Sequence, residues 1–474
     1  MCTRRLFIGS ATAIMLLGGV TSWAQTYTLE EIGALPDATP AIPTPPNSSA
    51  SAINANGALA GTSAISGGFV WITPGHGIAE PWNTHAVLFA DGALQDLGVL
   101  GEDAPPDEFP RPTSFAWGIN GLRQVVGDAT IVGDGYYRAF LWLPEPDYGL
   151  PAGMTEVPRL TVQARAYDIN DDGVVVGESR LTPGSLGPRA VRWEAIDGEW
   201  IITDLGSLGQ EYSIAYGINN LGQVTGSATI IVPPFQNNSH AFLWLPEPAY
   251  GLPAGMNNLT SSLPAGSIGR DVNELGQVVG RAPSWTPFIW LPEPAYGLPA
   301  GITQFPAESM FTPQVLAEYG FLGTVRGEFY AVNNAGVAVG NMEFAVQLPN
   351  GNIGLAQRGI VWLNGHFYLT QQFLPPDYEF ANVIRTEDVN DAGQIAAAGA
   401  DAEGNGRGLI LTPVLAGDCD ADSDVDALDY AGFAACLGGP VSPIDPSCAC
   451  SDLDVDADVD LADYAPFQVA FTGS

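Results

Sequence analysis

The sequence predicts an all-β chain, a β-propeller of about seven four-stranded blades, followed by a small α-helical module at the C-terminus. Three features predict it. A turn-centred segment recurs seven times, a strand with a polar first residue recurs beside it, and a strict ladder of Asp residues occupies the tail.

The turn-centred segment has the form Ala-x-x-Ile-Asn-x-x-Gly-x-Val-x-Gly, with its Asn at Asn54, Asn120, Asn170, Asn219, Asn273, Asn333 and Asn390, a mean period of 56 residues. AYGINNLGQVTG and AYDINDDGVVVG each read as an apolar run, an Asn/Gly turn and a second run of alternating apolar residues. That is a hairpin signature, in which Asn and Gly are expected to supply the positive φ of the turn. In the second copy Arg123 stands in the place of the turn Gly, and Gly121 is expected to take over its role. Ala397 replaces the last Gly of the seventh copy.

The companion strand reads HAVLF at 85, RAFLW at 138, RAVRW at 189, HAFLW at 240, PFIW at 287, RGIVW at 358 and RGLIL at 407. Either Leu-Pro-Glu-Pro-x-Tyr-Gly-Leu-Pro-Ala-Gly (143–153, 245–255, 291–301) or a shorter turn follows, and then a fourth strand such as ITDLGSLG. Four strands per unit, repeated seven times, match the blades of a propeller. The last unit lacks its fourth strand, while the TYTLEEIGAL segment near the N-terminus resembles it, so residues 26–34 are expected to complete the last blade. Trp142, Trp193, Trp244, Trp290 and Trp362 share one strand position and are expected between blades.

On these residues the chain resembles the HAF repeat family of extracellular repeat proteins, whose His-Ala-Phe stands here as His240-Ala241-Phe242 and, altered, as His85-Ala86-Val87. The resemblance covers about residues 27–414 and implies no activity.

The address is read from the N-terminus. Arg4 and Arg5 precede an apolar run from Leu6 to Val20, and Ser22-Trp23-Ala24 precedes Gln25. This predicts a secretory signal over 1–24, a propeller over 25–414 and a module over 415–474. The run is shorter than the about 20 apolar residues of a membrane span, so no membrane insertion is expected after cleavage. All 16 basic residues are Arg, and 52 acids bring the net charge to −36. That balance excludes nucleic acid and anionic membrane surfaces as partners.

Catalytic chemistry is not legible in the repeats. His85 and His240 occupy the position that Arg138, Arg189, Arg358 and Arg407 fill elsewhere, which reads as a polar strand edge. No nucleophile elbow, HExxH or phosphate loop is present, and the repeated acids such as Asp96, Asp204, Glu145, Glu247 and Glu293 read as structural. No catalytic or organic-cofactor residue is assigned. A ligand of the propeller, glycan or protein, is expected on the unrepeated insertions at 101–111 and 304–328.

From Asp418 the spacing becomes strict. Asp418, Asp420, Asp422, Asp424, Asp426 and Asp429 stand at positions 1, 3, 5, 7, 9 and 12 of a loop, and Asp452, Asp454, Asp456, Asp458, Asp460 and Asp463 repeat the ladder 34 residues later. Ca²⁺ takes six to eight hard oxygens, and an EF-hand loop presents them from these positions, with position 7 giving its carbonyl. Two bound Ca²⁺ are expected, with the position-8 residues Val425 and Val459 pairing the loops. A helical pattern follows each loop. Cys419, Cys436, Cys448 and Cys450 predict two disulfides in one of three pairings.

The duplicated loop and helix resemble dockerin type I modules over 418–473. In that family positions 10 and 11 help recognise cohesin, and here they are Ala427-Leu428 and Leu461-Ala462 in place of hydroxyl residues. Ser423 and Ala457 replace the usual Gly at position 6, and Pro466 interrupts the second helix. The resemblance implies a cohesin-like or envelope protein as partner. The chain is therefore expected to be a secreted, non-enzymatic binding or structural protein assembled through this tail. The alternatives are a dockerin-bearing glycoside hydrolase or lyase, and a tail that retains the protein at the cell surface.

Overall fold

The computed structural model describes residues 26–35, 47–64, 84–101, 112–131, 136–180, 187–196, 199–232, 236–374, 382–400 and 405–414. In the tail it describes 417–419, 425, 427–438, 448, 451, 459, 463, 464 and 467. The predicted signal segment lies outside them. The chain divides into two compact units, the larger built from 30–370 with 379–410 and the smaller holding the described residues of 1–29, 371–378 and 411–474.

The strands form seven four-stranded antiparallel sheets in sequence order, one per repeat. Blades 1 to 6 span 48–96, 113–156, 164–204, 213–258, 268–304 and 321–369. The seventh takes three strands from 382–414 and its fourth from Thr26–Glu31, as the missing DLG strand predicted. Ile32 donates its N–H to the Gly408 carbonyl at 3.1 Å and Glu31 pairs with Arg407 at 2.8 Å, so the ring is closed by backbone and side chain together.

The repeat Asn holds its own turn. Asn273 Oδ1 accepts the N–H groups of Leu275 and Gln277, while the Gly276 N–H donates to the Asn273 carbonyl. The expectation that Asn supplies positive φ is corrected. Positive φ falls on Gly57, Gly173, Gly222, Gly276, Gly336 and Gly393, and in blade 2 on Arg123 itself at 61°, not on Gly121. Asn serves instead as an Asx-type acceptor, which a short amide side chain does without leaving the right-handed region. Arg123 tolerates its strained φ while its guanidinium takes both oxygens of Asp91 at 2.8 and 2.9 Å. Gly121 has another constraint, because a Cβ there would lie 2.9 Å from the Asp171 carboxylate that accepts its N–H.

The long Leu-Pro-Glu-Pro insertions are staples between blades. Tyr148-Gly149, Tyr250-Gly251 and Tyr296-Gly297 have positive φ at both residues, and each pair is closed by a small antiparallel bridge, the geometry of a type I′ turn. Each Tyr hydroxyl meets a Gln of its own blade, Gln124, Gln223 or Gln277. Its ring leans on the turn glycine of the next blade, where a Cβ on Gly173, Gly276 or Gly336 would lie 2.1 to 2.4 Å from the ring or its oxygen. The same rings stack edge-on against Trp200, Trp290 and Trp362. Tyr250→Ala removes one aromatic pair and the two hydrogen bonds between the Tyr250 hydroxyl and the Gln223 amide. It is expected to lower stability by about 2 kcal/mol, read as a shift in the urea midpoint at unchanged m.

The shared Trp position is interblade core. Trp193 packs with Val126 and Leu141 of the preceding blade, and Trp142 with Ala60 and Leu88. The polar residue that opens the third strand is not an exposed edge: His85 and His240 are 3% exposed. His85 pairs with Asp96 at 2.9 Å, Arg189 with Asp204 at 3.2 Å, and His240 Nδ1 sits 3.1 Å from the Thr260 carbonyl. The position clasps the third strand to the fourth. The insertion at 304–328 carries the short helices Ala307–Met310 and Pro313–Glu318, whose Met310, Val315 and Leu316 pack against blade 6. That segment packs on an elongated blade and also exposes Leu322 and Val325, and 102–111 lies outside the described residues.

In the smaller unit a helix spans Ala427–Cys436, following the first Asp-rich loop as predicted. Val425, Phe433, Val459 and Phe467 form its buried cluster. Cys436 and Cys448 form a disulfide, which narrows the pairings the sequence left open.

Candidate functional site

Of the twelve predicted calcium ligands, Asp418, Asp429 and Asp463 lie among the described residues; Asp420, Asp422, Asp424, Asp426, Asp452, Asp454, Asp456, Asp458 and Asp460 lie outside them. The three occupy the first position of loop 1 and the twelfth of both loops, and all are buried, Asp429 and Asp463 completely. Asp429 accepts the Cys419 N–H at 2.6 Å, which ties the end of the first loop to its beginning. Cys419 Sγ lies 3.5 Å from Ser451 Oγ, just ahead of the second loop. Carboxylates withdrawn from water require a counter-charge, and no Arg or Lys follows Arg407 in the sequence. Carboxylate oxygens are the donor type that hard divalent cations take. Among the described residues, no three His, Cys, Asp or Glu side chains converge closely enough to hold an ion.

The larger unit contains a constellation that the repeat pattern did not single out. The seven repeat Asn residues form a closed ring. Asn54 Nδ2 donates to the Asn120 carbonyl, and the relay continues through Asn170, Asn219, Asn273, Asn333 and Asn390 back to the Asn54 carbonyl, at 2.8 to 3.1 Å. A more exposed relay lies one residue further along each turn. Asp171, Asn220, Glu274, Asn334 and Asp391 each accept the N–H of the residue at the same place in the preceding blade, and the relay stops at Ala55, which has no acceptor.

Just before the ring Asn, the first strand of every blade carries a β-bulge, at Ser51, Trp117, Tyr167, Tyr216, Arg270, Tyr330 and Glu387. Bulges re-aim side chains and recur beside functional sites. Here they place unlike residues at one shared position of the first strands. The result is a stack running through blades 3 to 7. Tyr167 and Tyr216 lie 5.3 Å apart, Arg270 sits over Tyr216 at 4.8 Å and Tyr330 at 5.6 Å, and Arg385 covers Tyr330 at 5.2 Å.

The next position alternates Asp with a small residue. Asp168, Asp271 and Asp388 belong to blades 3, 5 and 7, with Gly118, Gly217, Ala331 and Ala52 between them. Each carboxylate accepts its neighbour's N–H and reaches into the next blade, to Ile218, Val332 and Ile53, at 2.7 to 2.8 Å. The small residues are required, because a Cβ on Gly118 would lie 2.8 Å from Asp168 Cα and one on Gly217 3.0 Å from Asp271 Cα. Burial pushes all three carboxyls up, Asp271 to about 7 and Asp388 to about 6, and their mutual repulsion adds to the rise for Asp168 and Asp271. On the second strand of blade 3, burial lifts Glu178 to about 7 against the attraction of Arg165.

Comparison with known proteins leaves function open. No protein-family model and no curated protein matches the chain. Among solved structures it is similar to the β-propeller domain of the trilobed protease from Pyrococcus furiosus, with 9% identity, a TM-score of 0.36, and coverage of 77% of this chain and 93% of that one. It is also similar to a gluconolactonase from Xanthomonas campestris, with 10% identity, a TM-score of 0.31 and coverage of 64% and 86%. Neither likeness carries an argument about activity.

Proposed function

We propose that this chain is a secreted, non-enzymatic binding or structural protein whose propeller is displayed or assembled through a calcium-dependent, dockerin-like tail. The observation that carries the reading is the burial of Asp418, Asp429 and Asp463 at the ends of the Asp-rich loops, around the paired Val425 and Val459. Asp418, Asp420, Asp422, Asp426 and Asp429, with the Asp424 carbonyl, would hold one Ca²⁺; Asp452, Asp454, Asp456, Asp460 and Asp463, with the Asp458 carbonyl, would hold the other. The ion supplies the positive charge that lets these carboxylates share a small volume. The chain's own residues supply the frame, namely the Cys436–Cys448 disulfide and the Phe433 and Phe467 core. The fitting partner is a cohesin-like or envelope protein.

Calorimetric Ca²⁺ titration of the full chain with its disulfides intact is expected to show two ions, one of them lost in Asp429→Ala and the other in Asp463→Ala. Pull-down from secreted and envelope fractions with the loaded protein then identifies the partner. Absence of Ca²⁺ binding would refute the reading.

A further inference from the structure

We propose that the axial channel of the propeller binds a linear organic oligocation, a chain of two or three ammonium groups, on the carboxylates of Asp168, Asp271 and Asp388. The proposal deepens the binding reading above and rests on it.

The charges in the channel do not balance. Glu328 takes both Arg270 at 2.5 Å and Arg281 at 3.5 Å, Arg385 is matched by Glu387 at 2.6 Å, and Arg165 lies 4.0 Å from Glu178 and feels the buried Asp128 as well. The three aspartates instead rest on backbone N–H groups. One N–H on each oxygen leaves further lone pairs open on every carboxylate.

Geometry decides the kind of cation. The acids stand in alternate blades with Gly or Ala between them, and no three acidic or imidazole groups among the described residues converge on a point. A single metal ion cannot satisfy acceptors so spread, whereas ammonium groups spaced along a flexible chain can.

A second observation points to a ligand independently. Ser49 Oγ and Thr62 Oγ1, cross-strand partners in blade 1, are 8% and 0% exposed as residues and have no hydrogen-bond partner. Buried hydroxyls without partners are uncommon in native proteins. Ser49 occupies the register that holds Arg165, Glu328 and Arg385 in other blades, three residues and roughly 10 Å along the strand from the Asp layer. An extended amine anchored on the aspartates spans that distance and donates to these oxygens.

A sugar fits less well. Both faces of Tyr216 are covered, by Tyr167 and Arg270, and both faces of Tyr330 by Arg270 and Arg385. No open platform remains on them for a pyranose ring.

The test is calorimetric titration of the Ca²⁺-loaded full chain with spermidine at about 0.15 M salt, where the Debye length of about 8 Å screens the acidic surface. One saturable site is expected, weakened roughly tenfold or more in Asp271→Asn and in Asp388→Asn and unchanged in Asp91→Asn. Thermal melts of both channel variants establish that they are folded, and either one suffices. Heat that does not saturate, or that is equal in wild type and the channel variants, reports surface charge and overturns the proposal. Saturable binding of cellotriose in place of spermidine overturns the cation while leaving a binding propeller in place. Absence of any channel ligand overturns it too, and the two-ion Ca²⁺ titration distinguishes that result from failure of the assembly reading.

Discussion

Asn273→Ala is expected to lower the stability of the propeller by about 4 kcal/mol. The side chain is 6% exposed and uses its full hydrogen-bonding capacity. Its Nδ2 donates to Gln277 Oε1 at 2.8 Å and to the Asn333 carbonyl at 2.9 Å, and its Oδ1 accepts from Leu275 and Gln277. Alanine leaves the Gln277 N–H buried without its acceptor, which costs about 1–3 kcal/mol, and takes the interblade donor from the Asn333 carbonyl, which keeps the Gly336 N–H at 3.1 Å. Asn273→Asp keeps the acceptor but sets a carboxylate against the Asn333 carbonyl, so it is expected to be at least as damaging. Asn220→Ala, in the exposed relay one residue away, is expected to cost about 0.5 kcal/mol. Urea midpoints for the three variants test the ordering. A loss below about 1 kcal/mol for Asn273→Ala would show that the ring is not a principal tie between blades.

Asp271→Asn is expected to gain stability relative to wild type as pH rises. The carboxyl titrates near 7 in the folded chain, against about 3.9 in an unfolded one. Its native site therefore favours the neutral form, so its contribution is most favourable below pH about 4 and declines as pH rises to 7. Asp388 and Asp168 shift in the same direction, whereas carboxylates held by a cation in the tail would act in the opposite one. The quantity to measure is thus the difference between wild type and variant at each pH. The full shift corresponds to about 4 kcal/mol, and solvent screening of a side chain that is only partly buried reduces the expected change between pH 4 and pH 8 to about 2 kcal/mol. A pH-independent difference would mean that Asp271 is ionised without penalty.

Much of the fold is readable from local pattern. The Asn/Gly turns, the alternating strands and the LPEPxYGLPAG insertions are nearest-neighbour signals, and each falls where the periodicity places it. The function of the repeat Asn was not readable, because its decisive bond goes to the next Asn some fifty residues away. The same limit hid the channel. Tyr216, Arg270 and Tyr330 look unrelated along the chain, and only alignment of the repeats on Asn219, Asn273 and Asn333 shows that they share one bulged position. The rule that repeated acids are structural held for Asp96 and Asp204, which clasp third strands. It gave no warning about Asp168, Asp271 and Asp388, which recur in only three blades.

By itself the sequence determined the number of blades and the strand that closes the ring. Those properties depend on backbone pairing and on residue spacing within a single unit. The tertiary structure alone decided which polar residues face one another across blades. Axial neighbours come from equivalent points of successive repeats, and their contacts depend on ring closure rather than on any local sequence.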